Sequence, residues 1–444
     1  TRMESWHMCG IIKLSLYISM KGEKGKLSTR TRVTVFSILT GLITGFLVVG
    51  YRFILTTIET TRLEVFSSFD FSPSSRAFVW TMLSIGIALF LEFVVRQIPL
   101  ISGSGIPQVK AYLIDQARQS PVSGIMLKFT GGIMAIFNGL SLGREGPSIQ
   151  LGSFVGQAFG EGLSLDDEET KVIASAGASA GLAAAFNAPM AGLLFALEEL
   201  YHGFSSDVMI ACAFAGIMAD IVSKSFFGFK PLFYIPINQP LPFEHYYVIL
   251  IVGITASVLG MLFNKSLLLF SDAFKKLKFG KVLIPTLVSL ILVLTFPYVL
   301  GGGHGIIESL VSGESSLIFL IVLLFLKFAF TCLSYASTAP GGIFLPVLSI
   351  GATIGTILYI VITFFIPALA PFSNSFLIFG MLGFFTAVSK APVTGIILII
   401  EITQTVPIFL SLAFVAILSY LITEVFGSEP IYDMLMKRLI ADHY

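Results

Sequence analysis

Charge is scarce in this chain. Only 12% of its 444 residues are Asp, Glu, Lys or Arg, while 55% are hydrophobic and the mean hydropathy is +0.91. Soluble domains carry about 25% charged residues, so the deficit excludes an ordinary soluble domain and identifies an integral membrane protein. The net charge of +1 implies no bulk affinity for nucleic acid. Cysteine is scarce too. Cys9, Cys212 and Cys332 show no zinc, redox or disulfide spacing, and the last two read as small apolar fillers in helices. The five histidines (His7, His202, His245, His304, His443) are scattered, with no His-Glu-x-x-His pair. No serine motif has a partner histidine, so the nucleophile and base of an intramembrane hydrolase are missing. No enzyme, metal or cofactor is expected.

What the chain does have is long apolar sequence. Clean spans of about 20 residues stand at 33–51, 77–91, 246–264, 282–300, 315–335 and 402–423. Residues 1–19 read irregularly and look like upstream sequence before a natural start at Met20. Lys21, Lys24, Lys26, Arg30 and Arg32 precede the first span and Lys437 and Arg438 follow the last, which places both termini in the cytoplasm. Asp166-Asp167-Glu168-Glu169 and the lysines at 275, 276, 278 and 281 read as solvated connections. The division expected is a cytoplasmic segment 1–32, a first transmembrane half 33–226, a connection 227–245, a second half 246–436 and a short tail 437–444. From Phe328 to Ser389 there is no charge, yet Pro340, Gly341, Gly342, Pro346, Gly351, Gly355, Pro367 and Pro371 punctuate the stretch. Several short, tilted or half-crossing helices fit it better than one. Irregular backbone at such depth survives only where protein or a cavity surrounds it.

Glu145 is the most informative residue. It sits in Gly143-Arg144-Glu145-Gly146-Pro147, between residues 129–143 and 146–160, of which none is acidic or basic. A carboxylate at membrane depth costs on the order of 2.5–3.5 kcal/mol on insertion scales, and such groups mark ion or proton paths. The flanking glycines and proline break a helix and bare backbone N–H groups, which are anion ligands.

An internal repeat is visible. Asn187-Ala188-Pro189-Met190-Ala191-Gly192-Leu193-Leu194-Phe195-Ala196-Leu197-Glu198 lies on Lys390-Ala391-Pro392-Val393-Thr394-Gly395-Ile396-Ile397-Leu398-Ile399-Ile400-Glu401, with Ala, Pro, Gly and Glu coinciding. Broken-helix motifs precede both blocks, at Pro147 and at Pro346. Two related halves broken in matching places point to a transporter-type site between them. Glu198 has a twin in Glu401, which implies a shared structural task such as helix capping. Glu199 has none, since Ile402 stands opposite, so it is the better candidate for a direction-specific task.

Gly103-Ser104-Gly105-Ile106-Pro107, Gly143-Arg144-Glu145-Gly146-Pro147 and Gly342-Ile343-Phe344-Leu345-Pro346, with the late Tyr432, resemble the motifs of the CLC family of chloride channels and chloride/proton antiporters. Order and spacing agree from about residue 30 to 436. The resemblance implies an all-α membrane protein of two related, inverted halves built of tilted and broken helices. It implies a homodimer in the lipid bilayer, with one pore per subunit and no cofactor. Helix N-termini suit a chloride ion because they offer partial positive charge without a full countercharge, and conduction needs weak binding. By resemblance, chloride is bound by Ser104, Gly105, Ile106, Arg144, Gly146, Ile343, Phe344, Leu345 and Tyr432. Without the family, Ser104 reads as a helix cap and Tyr432 as an interfacial aromatic.

By the same resemblance Glu145 is the gate, whose protonation frees an outer chloride site. Arg144 lends positive potential to the pore or pairs with carbonyls, and Lys128 lies close enough to tune the gate. Glu199 falls on the intracellular proton-transfer glutamate of the antiporters, where channels usually carry an apolar residue. The alternatives are a passive chloride channel and, for Glu199, a surface carboxylate at the cytoplasmic edge. Ser104 favours chloride over fluoride, with nitrate or bromide open. With a dozen residues after Tyr432, the expectation is a minimal member without CBS domains, of a bacterial inner membrane. Lys110 stands where some relatives carry an acid, which puts local salt bridging in doubt but not transport.

Overall fold

The computed structural model describes residues 29–443 except 68, 69, 71, 74, 118, 119, 202, 204, 238 and 314. The readings made above for residues 1–19, for Met20, Lys21, Lys24 and Lys26, and for His202 lie outside the described residues. Among those described there are seventeen α-helices and no named strand. The first eight are α1 (Thr29–Ser67), α2 (Arg76–Gln97), α3 (Ile106–Leu113), α4 (Pro121–Phe137), α5 (Glu145–Gly162), α6 (Asp167–Phe186), α7 (Pro189–Phe195) and α8 (Ser206–Phe227). The others are α9 (Tyr247–Lys275), α10 (Leu283–Thr295), α11 (His304–Val311), α12 (Leu317–Ala336), α13 (Phe344–Phe365), α14 (Ser373–Ser389), α15 (Pro392–Thr403), α16 (Phe409–Val425) and α17 (Ile431–His443). Among the described residues eight helical segments are long and apolar enough to cross a membrane, so the chain is an integral membrane protein.

Several expected spans change. The 282–300 span ends early, because α10 has only 13 residues before a tight turn begins at Pro297, and that is too short to cross alone. The 402–423 span is cut at Gln404, whose φ is 56°, and the helix resumes at Phe409. A span missed in the sequence, α8, hides behind Asp207, Asp220 and Lys224; two of these neutralise each other, Lys224 Nζ standing 2.6 Å from Asp220. In the uncharged stretch, α13 has 22 residues, enough for a full crossing rather than half of one. In the acidic run at 166–169 the first three residues are exposed, as expected of a solvated connection, but the run opens α6, with Asp166 accepting from the Glu169 N–H, and Glu169 alone is buried and pairs with Arg32.

The repeat runs deeper than the block seen in the sequence. A turn starting at proline leads into α3 (Pro99–Ile101) and into α11 (Pro297–Val299). Two glycines in the left-handed region follow in each half, Gly103 and Gly105 with φ of 57° and 90°, Gly301 and Gly303 with 62° and 98°. Helices α6 and α14 end on left-handed residues, Asn187 (φ 55°) and Lys390 (φ 56°), before the prolines that open α7 and α15. Bare backbone contacts pack both halves. A Cβ on Gly152 of α5 would stand 2.0 Å from the Gly177 carbonyl oxygen of α6, and one on Gly351 of α13 would stand 2.5 Å from that of Gly380 in α14. Small residues at such crossings let helices approach closely without a hydrophobic drive in lipid.

Glu198, just past α7, accepts from the Val393 and Thr394 N–H groups of α15. Glu401, near the end of α15, accepts from Met190 and Ala191 of α7. Each helix therefore begins beside the other's end, and the twins run antiparallel. That is the relation an inverted repeat requires, and it fulfils the capping task expected for this glutamate pair.

Candidate functional site

The three glycine motifs meet through their backbones. Gly143 and Gly342 form an antiparallel bridge, with N–H to carbonyl distances of 2.6 and 2.8 Å. Gly103 joins them: its N–H donates to Thr338 and its carbonyl accepts from Gly341. Helices α3, α5 and α13 begin within this knot, at Ile106, Glu145 and Phe344, and none has a side-chain cap at its N-cap residue. The first N–H groups of α5 and α13 are thus left for other acceptors, while that of α3, at Ile106, reaches the Ser104 hydroxyl.

Ser104, Gly105, Ile106, Gly146, Ile343, Phe344 and Leu345 are all buried in or beside this knot. Gly105 must be glycine twice over, since φ is 90° and a Cβ would stand 2.4 Å from Gln150 Oε1. Gly146 lies against Ser104. The Phe344 ring packs among Phe186, Phe195 and Phe385, with centroids 5.3, 6.2 and 4.9 Å away, so its side chain anchors α13 in the core. The Ser104 hydroxyl accepts from the Ile106 N–H at 3.3 Å and is also engaged by the Tyr335 hydroxyl. It is therefore part cap. Tyr432 is 2% exposed, which overturns the interfacial-aromatic alternative, and it lies within electrostatic reach of Glu145, Glu199 and Tyr335.

Glu145 is 1% exposed. Its side chain turns back over its own motif: a Cβ on Gly143 would stand 2.2 Å from Glu145 Oε2 and 3.3 Å from Pro346. Its carboxylate lies close to the backbone N–H groups of Glu145 and Leu345, with buried Oε2 making no hydrogen bond among the described residues, so a carboxylate already lies between the starts of α5 and α13. Arg144 is half-buried and reaches Thr56 Oγ1 at 3.3 Å; among the described residues no carbonyl accepts a hydrogen bond from it. Arg144 and Glu145 line a cavity of about 280 Å³ with Arg52, Glu59, Lys230 and His304.

Lys128 does not contact Glu145. Its ammonium is fully buried and donates to the carbonyls of Ile101 (2.9 Å) and Gly103 (2.7 Å), pinning the loop that carries Ser104. Lys327, missed in the sequence, does the same to Val299 and Gly301 at 2.9 and 2.7 Å. Tyr335 was missed as well. An isolated lysine in an otherwise apolar helix, once in each half, was the available signal for Lys327.

Glu199 lies away from the glycine knot, in a single π turn, Ala196–Leu200, that continues α7. It is 3% exposed, which overturns the surface-carboxylate alternative, and it forms an ion pair with Lys110 at 2.7 Å. The π turn is how neighbouring Glu198 and Glu199 serve different partners, one on α15 and the other on α3. Such bulges are frequent at functional sites.

Residues 87–424 match the family described as voltage gated chloride channel. The chain is 31% identical over 429 residues to the H(+)/Cl(-) exchange transporter ClcA of Vibrio vulnificus (strain YJ016), covering 94% of this chain and 91% of that protein. It is 29% identical to ClcA of Vibrio campbellii over 433 residues, 95% of this chain and 92% of the relative. Its structure resembles that of a slow cyanobacterial Cl-/H+ antiporter with a TM-score of 0.87 at 27% identity, covering 93% and 99% of the two chains. A CLC-type fluoride/proton antiporter shares the fold, with a TM-score of 0.76 at 20% identity over 90% and 97% of the chains. These matches make the chain a membrane transport protein and not an enzyme. With matched residues covering most of its length and all three glycine motifs joined in one knot, the chain belongs to the voltage-gated chloride channel, or CLC, family.

Proposed function

We propose that this protein exchanges chloride for protons across the membrane, with Glu145 as the gate and Glu199 as the proton-transfer group on the opposite side of the chloride path. The observation that carries the reading is the position of the Glu145 carboxylate. It lies where two uncapped helix N-termini converge, beside N–H groups that an anion would otherwise use. A charged carboxylate there competes with chloride. A protonated one has lost the charge that the N–H groups favour and gives way. One group thereby links occupancy by proton to occupancy by chloride. Ser104 and Tyr432, with the N–H groups of Ile343 and Phe344, form the central chloride site. Gly105, Ile106, Arg144, Gly146 and Leu345 complete the path.

The bacterial relatives support a plasma membrane location, and the family resemblance supports a homodimer with one path per subunit. A passive channel is the second reading. The ion pair of Glu199 favours it to one degree, because a carboxylate tied to a lysine serves structure as well as transport. Purified protein in liposomes, given a chloride gradient while internal pH is recorded, separates the two. Exchange drives protons against their own gradient, and both Glu145→Ala and Glu199→Gln stop the proton movement while chloride still moves. Chloride flux with no proton movement in the unaltered protein makes it a channel.

A further inference from the structure

The buried lysine beside Glu199 has a second acid. Lys110 Nζ, on α3, pairs with Glu199 from the π turn and also with Asp433 from α17. Lys110 and Glu199 are 2% and 3% exposed at their side chains, whereas Asp433 is 22% exposed and opens toward solvent. One ammonium therefore bridges an inner and an outer carboxylate, held on three separate elements. Other charged groups on the packed elements have partners of their own, but Lys437, one turn after Asp433 on α17, pairs with Glu429 and also lies within electrostatic reach of Asp433, while Arg438 pairs with Asp272. Lys171 pairs with Asp115 and Glu168, Glu169 with Arg32, and Asp220 with Lys224. Tyr432, next to Asp433 on α17, also senses Glu199.

Charge counting gives this arrangement a purpose. With both carboxylates ionised the triad carries one net negative charge. When a proton adds to a Glu199 oxygen, the ammonium remains balanced by Asp433, and the triad is neutral. Without Asp433 the same step would strand an unpaired cation in the interior, which is strongly unfavourable. Without Lys110 two acids would be left facing each other, and like charges promote proton uptake.

We infer that Lys110 and Asp433 are positioning residues that set the proton affinity of Glu199, with Asp433 holding the ammonium whenever Glu199 is protonated. The inference rests on the assignment of Glu199 as the proton-transfer group. Asp433 rides on the helix that carries Tyr432, so the countercharge and a chloride-site hydroxyl share one rigid element.

The test is the dependence of chloride-driven proton flux on the pH of the Glu199 side, in liposomes, with chloride flux recorded as evidence of folded protein. Asp433→Asn is expected to move the flux limb toward acid by roughly one pH unit, and Lys110→Met to move it toward alkaline by a similar amount. A purely structural role predicts loss of flux without opposite shifts. Asp433→Glu should restore the original profile. If Lys110→Met shows no chloride flux, Asp433→Asn and its conservative partner carry the test alone. An unmoved profile in Asp433→Asn, or shifts of the same sign in both variants, overturns the inference. Glu199→Gln is run in parallel. If it keeps its proton flux, the underlying assignment fails instead, whatever the other variants do.

Discussion

At Gly146 a methyl group would stand 2.7 Å from the Ser104 carbonyl oxygen and 3.0 Å from its Cβ. The obstacle is the backbone of the neighbouring motif, so nothing flexible can give way. Gly146→Ala must push α5 away from the Ser104 loop. Overpacking of this kind costs typically about 1–3 kcal/mol, and here it falls on the proposed chloride path. The expected result is a lower unfolding temperature and chloride flux reduced about tenfold, a factor equivalent to about 1.4 kcal/mol; unchanged flux would mean that the knot tolerates separation. The two buried lysines make a sharper comparison. Each satisfies two carbonyls, and stranding buried acceptors costs about 1–3 kcal/mol apiece. Lys128→Met and Lys327→Met should therefore destabilise alike in thermal unfolding, but only Lys128→Met should weaken chloride binding, because its loop carries Ser104 while the twin loop carries Gly302. At this scale the sequence singled out Glu145 because a carboxylate is rare inside membranes, and the glycine motifs because Gly and Pro at that spacing mark broken helices, which the structure has at α3, α5 and α13. It was silent on Tyr335 and on the Lys110 pairing, because both depend on partners brought together from distant elements.

At the scale of elements, the exchanged glutamates between α7 and α15 are the clearest device. Each carboxylate receives two backbone N–H groups at a helix start, and Glu198 also takes the Thr394 hydroxyl at 2.7 Å. Hydrogen bonds to charged groups contribute about 1.5–3 kcal/mol each, and the helix dipole adds to them. Glu198→Ala and Glu401→Ala should each lower stability by about 2–3 kcal/mol, read as a drop in unfolding temperature in detergent, and Gln at either site should lose about half as much. Proton coupling should persist in Glu401→Gln, because its task is capping; loss of coupling there would show that the repeat is no mere scaffold. The sequence alignment foretold this pair because Ala, Pro, Gly and Glu recur at one spacing. It could not foretell α8 as a span, since i,i+4 pairing of Asp220 with Lys224 removes charge that hydropathy still counts. Nor could it place the boundary of α10, where the proline turn is made for the local geometry of α11 and not for crossing the bilayer.

For the molecule as a whole, nearly balanced charge hides an uneven distribution around the path. The cavity over Glu145 gathers Arg52, Arg144 and Lys230 against Glu59 and Glu145 itself. Arg52 is committed to structure, since it donates to the Ala184 carbonyl, Asn187 and Ser223 and lies over the Phe227 ring. Lys230 is exposed at the rim and has no ion pair among the described residues, which leaves it to act on anions approaching through water. A rim charge of this kind raises the local concentration of chloride without binding it tightly, and its effect decays over about 8 Å at physiological ionic strength. Lys230→Glu should therefore slow chloride flux several-fold at low ionic strength while leaving the proton-to-chloride ratio and the unfolding temperature unchanged. Raising ionic strength with an impermeant salt should abolish most of the difference. A deficit that persists at high salt would place Lys230 in the binding path itself, and a changed ratio would mean that the rim charge reaches the Glu145 gate.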